Sequence, residues 1–524
     1  MRVLGIEGTA WAASAAVHDV ATDETRIETD AYSPVSGGIH PREASEHMSE
    51  AVPAVVERAL DRADAPVDAV AFSRGPGLGP CLRVVGTAAR ALAGRLDVPL
   101  VGVNHMIAHA AIGRHRSGYA DPVCLNASGA NAHLLAYADG RYRILGETMD
   151  TGVGNAIDKF ARHLGWGHPG GPAVEARARD GDYHALPYVV KGMDFSFAGV
   201  ASAAQDAVDD GVPVADVCHG LQESVFAALT EGAERALALT GRDELVLGGG
   251  VGQNSRLRGM LAEMCAARGA DFFAPAPRFL RDNAGMIAVL GAKMAAAGET
   301  IPVADSAVDP DFRPDEVPVR WWTPAARAAP ADDAPVDGAE ATVRVDGDSV
   351  VKTRAVKSYR HPSLDSRLRR ERTRAEARLT SEARRAGVPT PLVRDVDVAA
   401  AQLTLQYVGD CDLAAALTPD RARRVGERLA ALHDAGLVHG DPTTRNVRVG
   451  GERLWLVDFG LGAHSGHVED HAMDLHVFEG SVTGTAAEDE AAAACEAVRE
   501  GYRAAGDEAV LARLADVDAR GRYR

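Results

Sequence analysis

GIEGTA at Gly5–Ala10 and GGGVGQN at Gly248–Asn254 decide how the first part of the chain folds. Each closes a short apolar run, VLGIEG or ELVLGGG. Gly-rich strand ends of this kind lend backbone N–H groups to phosphates. Between them AVAFSRGPG, LVGVNH and VCLNASG are further apolar runs that end in Gly or polar residues. Ala-rich helical stretches such as AVPAVVERAL and VVGTAARALAGRL separate them. Strand–loop–helix repetition predicts α/β structure with covered sheets. Two Gly-rich strand ends far apart in sequence, facing each other across a cleft, predict a two-lobed nucleotide-binding architecture.

The chain has 524 residues, 46% hydrophobic and 25% charged, so it is globular material of several domains. Its net charge of −18 opposes unassisted binding to nucleic acid or an acidic membrane. Lys is scarce among the 56 basic residues, and Asp, Glu and Ala are abundant, the composition of a protein from a salt-loving cell. High salt screens such charge and weakens that opposition. The six cysteines are scattered without a C-x-x-C pair, which excludes a disulfide framework and a zinc knuckle. No leader-like start and no apolar run of spanning length occurs, so the expectation is a cytoplasmic protein with no membrane contact. The stretch 323–337, TPAARAAPADDAPVD, has no hydrophobic period and reads as a linker between residues 1–322 and 338–524.

His105 and His109 in NHMIAH stand at i and i+4, one face of a helix, a usable grip for a divalent metal. Asp282 in RDNAGM is the candidate third ligand. Two His and a carboxylate leave open positions and suit iron, zinc or manganese. No Glu lies between the histidines, unlike the H-E-x-x-H of zinc proteases. His40 and His47 read as packing residues of a Gly- and Pro-bearing loop.

The segments GIEGTA (5–10), SGGIHPREASEHM (36–48), SRGPGLGPCLRV (73–84), NHMIAH (104–109), SGAN (128–131), NAIDKFAR (155–162), GGPAVE (170–175), FSFAG (195–199), GGGVGQN (248–254) and RDNAGM (281–286) resemble, in order, the universal tRNA threonylcarbamoyladenosine transferase family, the catalytic subunit of the KEOPS complex. The resemblance implies an actin/hexokinase-like two-lobed α/β fold for 1–322. It places metal ligands on His105, His109 and Asp282, with iron ahead of zinc as the ion. It places contacts to threonylcarbamoyl-AMP on Asn126, Ala127, Ser128, Gly129, Ala130, Asp158, Gly171, Glu175 and Asn254. The family usually has Tyr where this chain has Asn126, a shorter and weaker fourth ligand. The implied reaction passes the threonylcarbamoyl group to the exocyclic amine of the adenosine 3′ of the anticodon, in tRNAs reading codons that begin with A. An activated acyl donor needs no Ser or Cys nucleophile, and no G-x-S-x-G or Cys/His dyad is present. Lys159 and Arg162 read equally as phosphate contacts or helix-face pairs, and Arg83 reads either as a tRNA contact or as the completion of a turn.

The second part carries His439-Gly440-Asp441 after the helical stretch RRVGERLAALHDAGL, then Asn446, then Val457-Asp458-Phe459-Gly460. This is the loop pair of phosphotransferases. Asp441 accepts the proton of the attacking group, and Asn446 and Asp458 hold Mg²⁺. Lys352 is the candidate phosphate clamp with Glu376 as helix partner, and Gly338, Ala339, Glu340 and Ala341 are the nucleotide turn. With GAEA, VVKTRAVKSYRHPSLDSRLRRERTRAEARL, AGVPTP, HGDPTTRN and VDFGLG, residues 338–524 resemble the small RIO-like atypical kinase of the same complex. The implied fold is a small bilobal α+β kinase-like domain that uses ATP and Mg²⁺. Pro442 and Arg445 replace the more usual Leu and Ser. Few residues follow Asp458 and no A-P-E sequence occurs, which favours ATP hydrolysis that regulates the transferase over phosphorylation of assorted proteins. The Arg-rich stretch 352–385 reads as tRNA backbone contact or as a solvated helix face with pairs such as Glu371, Arg372 and Glu376. The tail Arg520–Arg524 adds phosphate contacts in the same reading.

The expected whole is a fused transferase and kinase/ATPase whose partners are tRNA, threonylcarbamoyl-AMP, ATP and small KEOPS accessory subunits. Its rivals are a metallopeptidase-like first part, an actin-like or sugar-kinase-like ATPase, and a Ser/Thr protein kinase on an inert scaffold.

Overall fold

The computed structural model describes residues 1–32, 39–324 and 338–519. Of the expected linker 323–337, all but Thr323 and Pro324 lies outside the described residues. The same holds for the tail 520–524 and for the start of the 36–48 motif.

The first part is built on two five-stranded sheets of one plan. In the first, strands run Glu24–Ala31, Ala12–Asp19, Arg2–Glu7, Ala69–Gly75, Leu100–Asn104. The first three form an antiparallel meander, and the last two run parallel to Arg2–Glu7. In the second sheet the order is Arg141–Glu147, Ala132–Ala138, Val123–Ala127, Glu244–Gly248, Asp271–Phe273, with the same directions. Equivalent loops therefore follow from topology. GIEGTA corresponds to the NASGAN turn at 126–131, and GGGVGQN to SRGPGLG at 73–79. The sequence reading paired GIEGTA with GGGVGQN because both are Gly-rich, but the repeat is set by strand order.

Period-two alternation sorts the strand side chains into layers. Leu4, Ile6, Val70 and Phe72 pack against Met48, Val52 and Val85 of the helices Pro41–Asp61 and Gly79–Leu96. Val3, Ala69, Ala71, Val101 and Val103 point the other way, onto Ile107 and Ile112 of the helix His105–Ser117 and Met286, Ile287 and Leu290 of the helix Ala284–Ala296. Cys124, Leu135 and Val246 of the second sheet join that same cluster. Two helices are thus sandwiched between the sheets. Their close approach needs small residues: a Cβ on Gly5 would lie 2.5 Å from the Ala284 carbonyl oxygen, and one on Gly113 2.1 Å from Val246 Cγ1. The far face of the second sheet (Val123, Leu125, Leu245, Leu247) packs on Phe226 and Leu229 of the long helix Val214–Thr240.

The second part opens with a four-stranded antiparallel sheet, Ala341–Asp346, Ser349–Arg354, Gln402–Gln406, Val393–Asp397, with the helix Pro362–Arg385 inserted after its second strand. A largely helical unit follows, with Pro419–Asp434, Val468–Thr485, Glu488–Ala505 and Glu508–Asp518. The helix Pro362–Arg385 serves two cores. Leu364 and Leu368, with the preceding Tyr359, are buried among the first part's residues, whereas Leu379 and Ala383 belong to the second part's own core. The two parts are therefore packed together, not merely tethered. The six cysteines are free thiols, and no helix among the described residues is long and apolar enough to cross a membrane.

Candidate metal centre and nucleotide cleft

The Asn104 side chain caps the helix His105–Ser117, accepting from the N–H of Met106 (3.0 Å) and Ile107 (3.1 Å). His105 thus occupies the first helical position and His109 the next turn, with ring centroids 4.9 Å apart. Asn283 caps the second central helix through the Met286 N–H, which sets the preceding Asp282 at that helix's mouth. Asp282 Oδ1 lies 3.3 Å from His105 Nε2 and 3.2 Å from His109 Nε2. Ligand atoms of all three residues fall within 4.8 Å of one another. The set sits where the N-termini of both central helices meet.

Sequence reasoning missed Glu7, the acid within GIEGTA. It is fully buried, and its Oε1 accepts from the Thr9 N–H at 2.8 Å. Its Oε2 faces His105 Nδ1 at 3.1 Å and takes the Ser73 hydroxyl. Burial pulls the His105 imidazole down, but Glu7 and Asp282 outweigh it and push it up to about 10. Burial lowers His109. Burial opposes ionisation of Asp282 and Glu7, yet the adjoining imidazoles hold both below the usual carboxylate range. His109 Nδ1 and Asn126 Oδ1 are buried without a hydrogen-bond partner. Two imidazole nitrogens and a carboxylate oxygen gathered at one point, with a buried carboxylate behind one ring, fit a divalent metal ion.

Asn126 ends the strand Val123–Ala127 and points Nδ2 at Met106 Sδ, 3.7 Å away. A Cβ on Gly248 would touch both Asn126 Oδ1 and His109 Cβ. The 128–131 turn is therefore continuous with the histidine pair. Ser128 and Gly129 accept from the N–H groups of Gly154 (3.2 Å) and Asn155 (2.9 Å), which staples the turn to the start of the helix Val153–His163. Ala130 closes on Gly152, where a Cβ would lie 2.1 Å from its carbonyl carbon. Asp158, on that helix, accepts from the Gly170 N–H (2.7 Å) and faces His168 Nδ1 (3.0 Å). Gly171 has open space where a side chain would project. Glu175 Oε1 accepts from the Ser255 N–H at 3.0 Å.

Asn254 does something the sequence reading did not foresee. It caps the helix Ser255–Arg268 and donates to Gln222 Oε1 at 2.8 Å. His47 lies on the helix Pro41–Asp61, not in a loop, and His40 is that helix's cap residue. Arg83 is exposed on the first turns of the helix Gly79–Leu96.

In the second part Lys352 Nζ bridges Glu376 Oε1 (2.8 Å) and Asp458 Oδ1 (2.7 Å). Asp458 adopts a left-handed backbone, φ 67°, uncommon for a side chain of any size. Burial opposes its ionisation, but Lys352 and Arg354 hold it below the usual range. Asp441 Oδ2 accepts from Asn446 Nδ2 (3.0 Å) and from Arg235 Nη1 (2.7 Å). Burial, aided by Asp458, pushes Asp441 up to about 6 although Arg235 opposes it. Asp474, also missed in sequence, fixes the 439–441 turn by accepting from the N–H groups of His439 (2.7 Å) and Gly440 (2.8 Å).

The Arg-rich stretch divides. The expected pairing of Arg372 within its own helix is corrected: Arg372 and Arg360 turn inward to Glu231 of the first part, at 2.9 and 2.6 Å. Burial decides this, because both guanidiniums are under 9% exposed and need a buried partner. Arg370, Arg374 and Arg378 stay exposed along one stripe of the helix. Arg235, Glu231 and Glu234 carried no motif, and their role appears only in the fold.

Residues 22–289 match the family of tRNA N6-adenosine threonylcarbamoyltransferases. The whole chain is 71% identical over 528 residues to a probable bifunctional tRNA threonylcarbamoyladenosine biosynthesis protein of Halobacterium salinarum, covering 100% of this chain and 99% of that one. Proteins so described from Haloarcula marismortui (63% over 550 residues, both chains covered in full) and Methanospirillum hungatei (49% over 525 residues, 99% of each) align equally end to end. The acidic, lysine-poor composition fits the halophile relatives. With its central helices converging on one set of donor atoms and its full length shared with these relatives, the chain belongs to the bifunctional tRNA threonylcarbamoyladenosine biosynthesis proteins, a family of tRNA-modifying enzymes.

Proposed function

We propose that residues 1–322 transfer the threonylcarbamoyl group from threonylcarbamoyl-AMP to the exocyclic amine of the adenosine 3′ of the anticodon. Residues 338–524 act as a kinase-like ATPase that regulates this step within a KEOPS assembly in the cytoplasm. The observation that carries the reading is the convergence of His105, His109 and Asp282 at the N-termini of two helices sandwiched between the sheets. A divalent metal, iron ahead of zinc, would be held by these three. When bound, it supplies Lewis-acid charge for an acyl or phosphate oxygen.

The chain's own residues do the rest. Glu7 faces His105 Nδ1 and, with a metal held at Nε2, would keep the remaining imidazole proton on Nδ1. The 128–131 turn and the unobstructed Gly171 let backbone approach the adenylate. Asp158 and Glu175 present carboxylates for ribose and threonine polar groups. The amine attacks the carbamoyl carbon, the bond from that carbon to the phosphate oxygen breaks, AMP leaves with the electron pair, and the amine proton passes to water. Positioning and charge control suffice for a donor already activated. In the second part, Lys352, Asn446 and Asp458 are the ATP and Mg²⁺ ligands and Asp441 the proton acceptor. Its core and ion pairs shared with the first part support regulation by direct contact.

Reconstitution with tRNA, threonine, bicarbonate, ATP and an adenylate-forming enzyme, followed by nucleoside mass spectrometry, tests both halves. His109→Ala is expected to abolish the modified nucleoside. Asp441→Ala is expected to stop multiple turnover and tRNA-dependent ATP consumption. Full product from the first variant sinks the metal reading, and unchanged turnover with the second sinks the regulatory one.

A further inference from the structure

Arginines from both parts converge on a single carboxylate in the cleft between them. Glu340 accepts from Arg354 Nη1 at 2.7 Å through one oxygen. Through the other it accepts from Arg372 Nη1 and forms an ion pair with Arg235 Nη2 at 3.0 Å. Arg360 Nη2 stands 3.9 Å from that same oxygen. Of these cations Arg235 alone belongs to the first part, on the helix Val214–Thr240. Its second terminal nitrogen bonds Asp441, so one guanidinium spans the 338–341 turn and the 439–441 turn. Glu231, one helical turn back, holds Arg235 at 3.1 Å and also takes Arg360, Arg372 and the Tyr188 hydroxyl. The fork is therefore fixed in place.

The convergence of the forks shows what the position is built for. Apart from Glu340, Arg354, Arg360 and Arg372 are answered by Glu231 and Glu376, with Asp365 3.8 Å from Arg360 and Asp458 3.9 Å from Arg354. Arg235 shares Glu231 and otherwise turns to Asp441. Three guanidiniums from three different elements contact the one Glu340 carboxylate, so the position it holds suits an anion with several acceptor oxygens. A carboxylate offers two oxygens. A terminal phosphate offers three and more charge, and guanidinium forks match either. Lys352 and Asp458 border the same cleft.

We propose that the Glu340 carboxylate is an internal stand-in for the terminal phosphate of a nucleoside triphosphate, and that Arg235 is a phosphate contact supplied by the transferase half to the nucleotide site of the other half. The triphosphate displaces Glu340 and recruits Arg235, whereas a diphosphate leaves Glu340 where it is. The transferase half thereby feels which nucleotide is bound through the helix that also carries Glu231 and Glu234. This rests on the ATP-binding reading of the second half.

Calorimetric titration of the full chain with Mg²⁺ and either ADP or a non-hydrolysable ATP analogue, at high KCl, tests it. Wild type is expected to prefer the triphosphate. Arg235→Ala is expected to lose about 10–100-fold on the triphosphate and under about twofold on ADP, the scale of one charge-assisted fork. Glu340→Gln is expected to move the opposite way, tightening the triphosphate several-fold, a gain that misfolding does not produce. Equal losses on both nucleotides in Arg235→Ala, or a weaker triphosphate in Glu340→Gln, overturn the proposal. Failure of wild type to bind either nucleotide overturns the ATP-binding reading itself, which separates the two failures.

Discussion

Replacing Glu7 by Gln keeps the shape of a buried side chain and removes one charge, so its effect isolates what that carboxylate does for His105. Oε1 accepts the Thr9 N–H, and Oε2 takes His105 Nδ1 and the Ser73 hydroxyl. An amide has one accepting oxygen. If that oxygen faces Thr9, the NH₂ faces His105, which must then turn its Nδ1 lone pair toward it and carry its proton on Nε2, the nitrogen aimed at Asp282. The metal-binding lone pair is lost. If the oxygen faces His105, the NH₂ meets the Thr9 N–H and a buried donor goes unpaired, at about 1–3 kcal/mol. The second orientation weakens folding with and without metal, whereas the first lowers metal affinity by about 10–100-fold, or roughly 1.4–2.7 kcal/mol, the range for a lost partner behind a ligating imidazole. Proton competition opposes this. Glu7 helps to raise His105 to about 10, so in the wild type metal must expel a proton, and affinity drops steeply below that pH. Glu7→Gln eases that competition. The deficit is therefore largest near pH 9.5 and shrinks toward pH 7, with a shallower pH slope than wild type. Chelator competition with Zn²⁺ across this range measures both quantities, and melting of the metal-free chain controls for folding. Equal affinities and equal slopes would refute the positioning role.

His476 of the second part lies between Asp518 (2.9 Å) and Asp194 of the first part (3.5 Å), beside a cavity of about 360 Å³ that Glu147, Glu479 and Arg313 also line. Burial lowers its proton affinity, but Asp518 and Asp194 outweigh it and push it up to about 9. A folded value above the unfolded ~6.5 means its contribution is complete below that pH and lost as pH rises through about 9. Melting of the full chain should weaken across that window, and His476→Asn should flatten the decline; parallel curves would remove His476 as the cause. Reversing Arg370, Arg374 and Arg378 together to Glu should weaken tRNA binding and lower its salt slope by about 3, if each meets one phosphate. Filter binding across a salt series measures this, and an unchanged slope would assign the stripe to solvent.

What was legible in the sequence is what local rules write. The histidine pair is a four-residue spacing on a helix that Asn104 caps, and Asp282 sits one residue before another cap. Strand-like runs ending in glycine became sheet strands for the same reason. What stayed hidden was closed by tertiary contact. Glu7 looked like the tail of a strand until its partner, 98 positions away, turned toward it. Arg235 and Asp441 are 206 residues apart and belong to segments that each read as complete. No periodicity marks Glu231, because a buried acid in a helix draws its meaning from the arginines that a different element carries to it. The Arg-rich stretch shows the cost of reading charge without burial: Arg360 and Arg372 turn inward to Glu231 of the first part, while Arg370, Arg374 and Arg378 stay exposed to meet an anionic partner. A fused chain can place such pairs in both halves because the partner is always present. The surface where the two halves meet is therefore where residues invisible to motif reading are most expected to act.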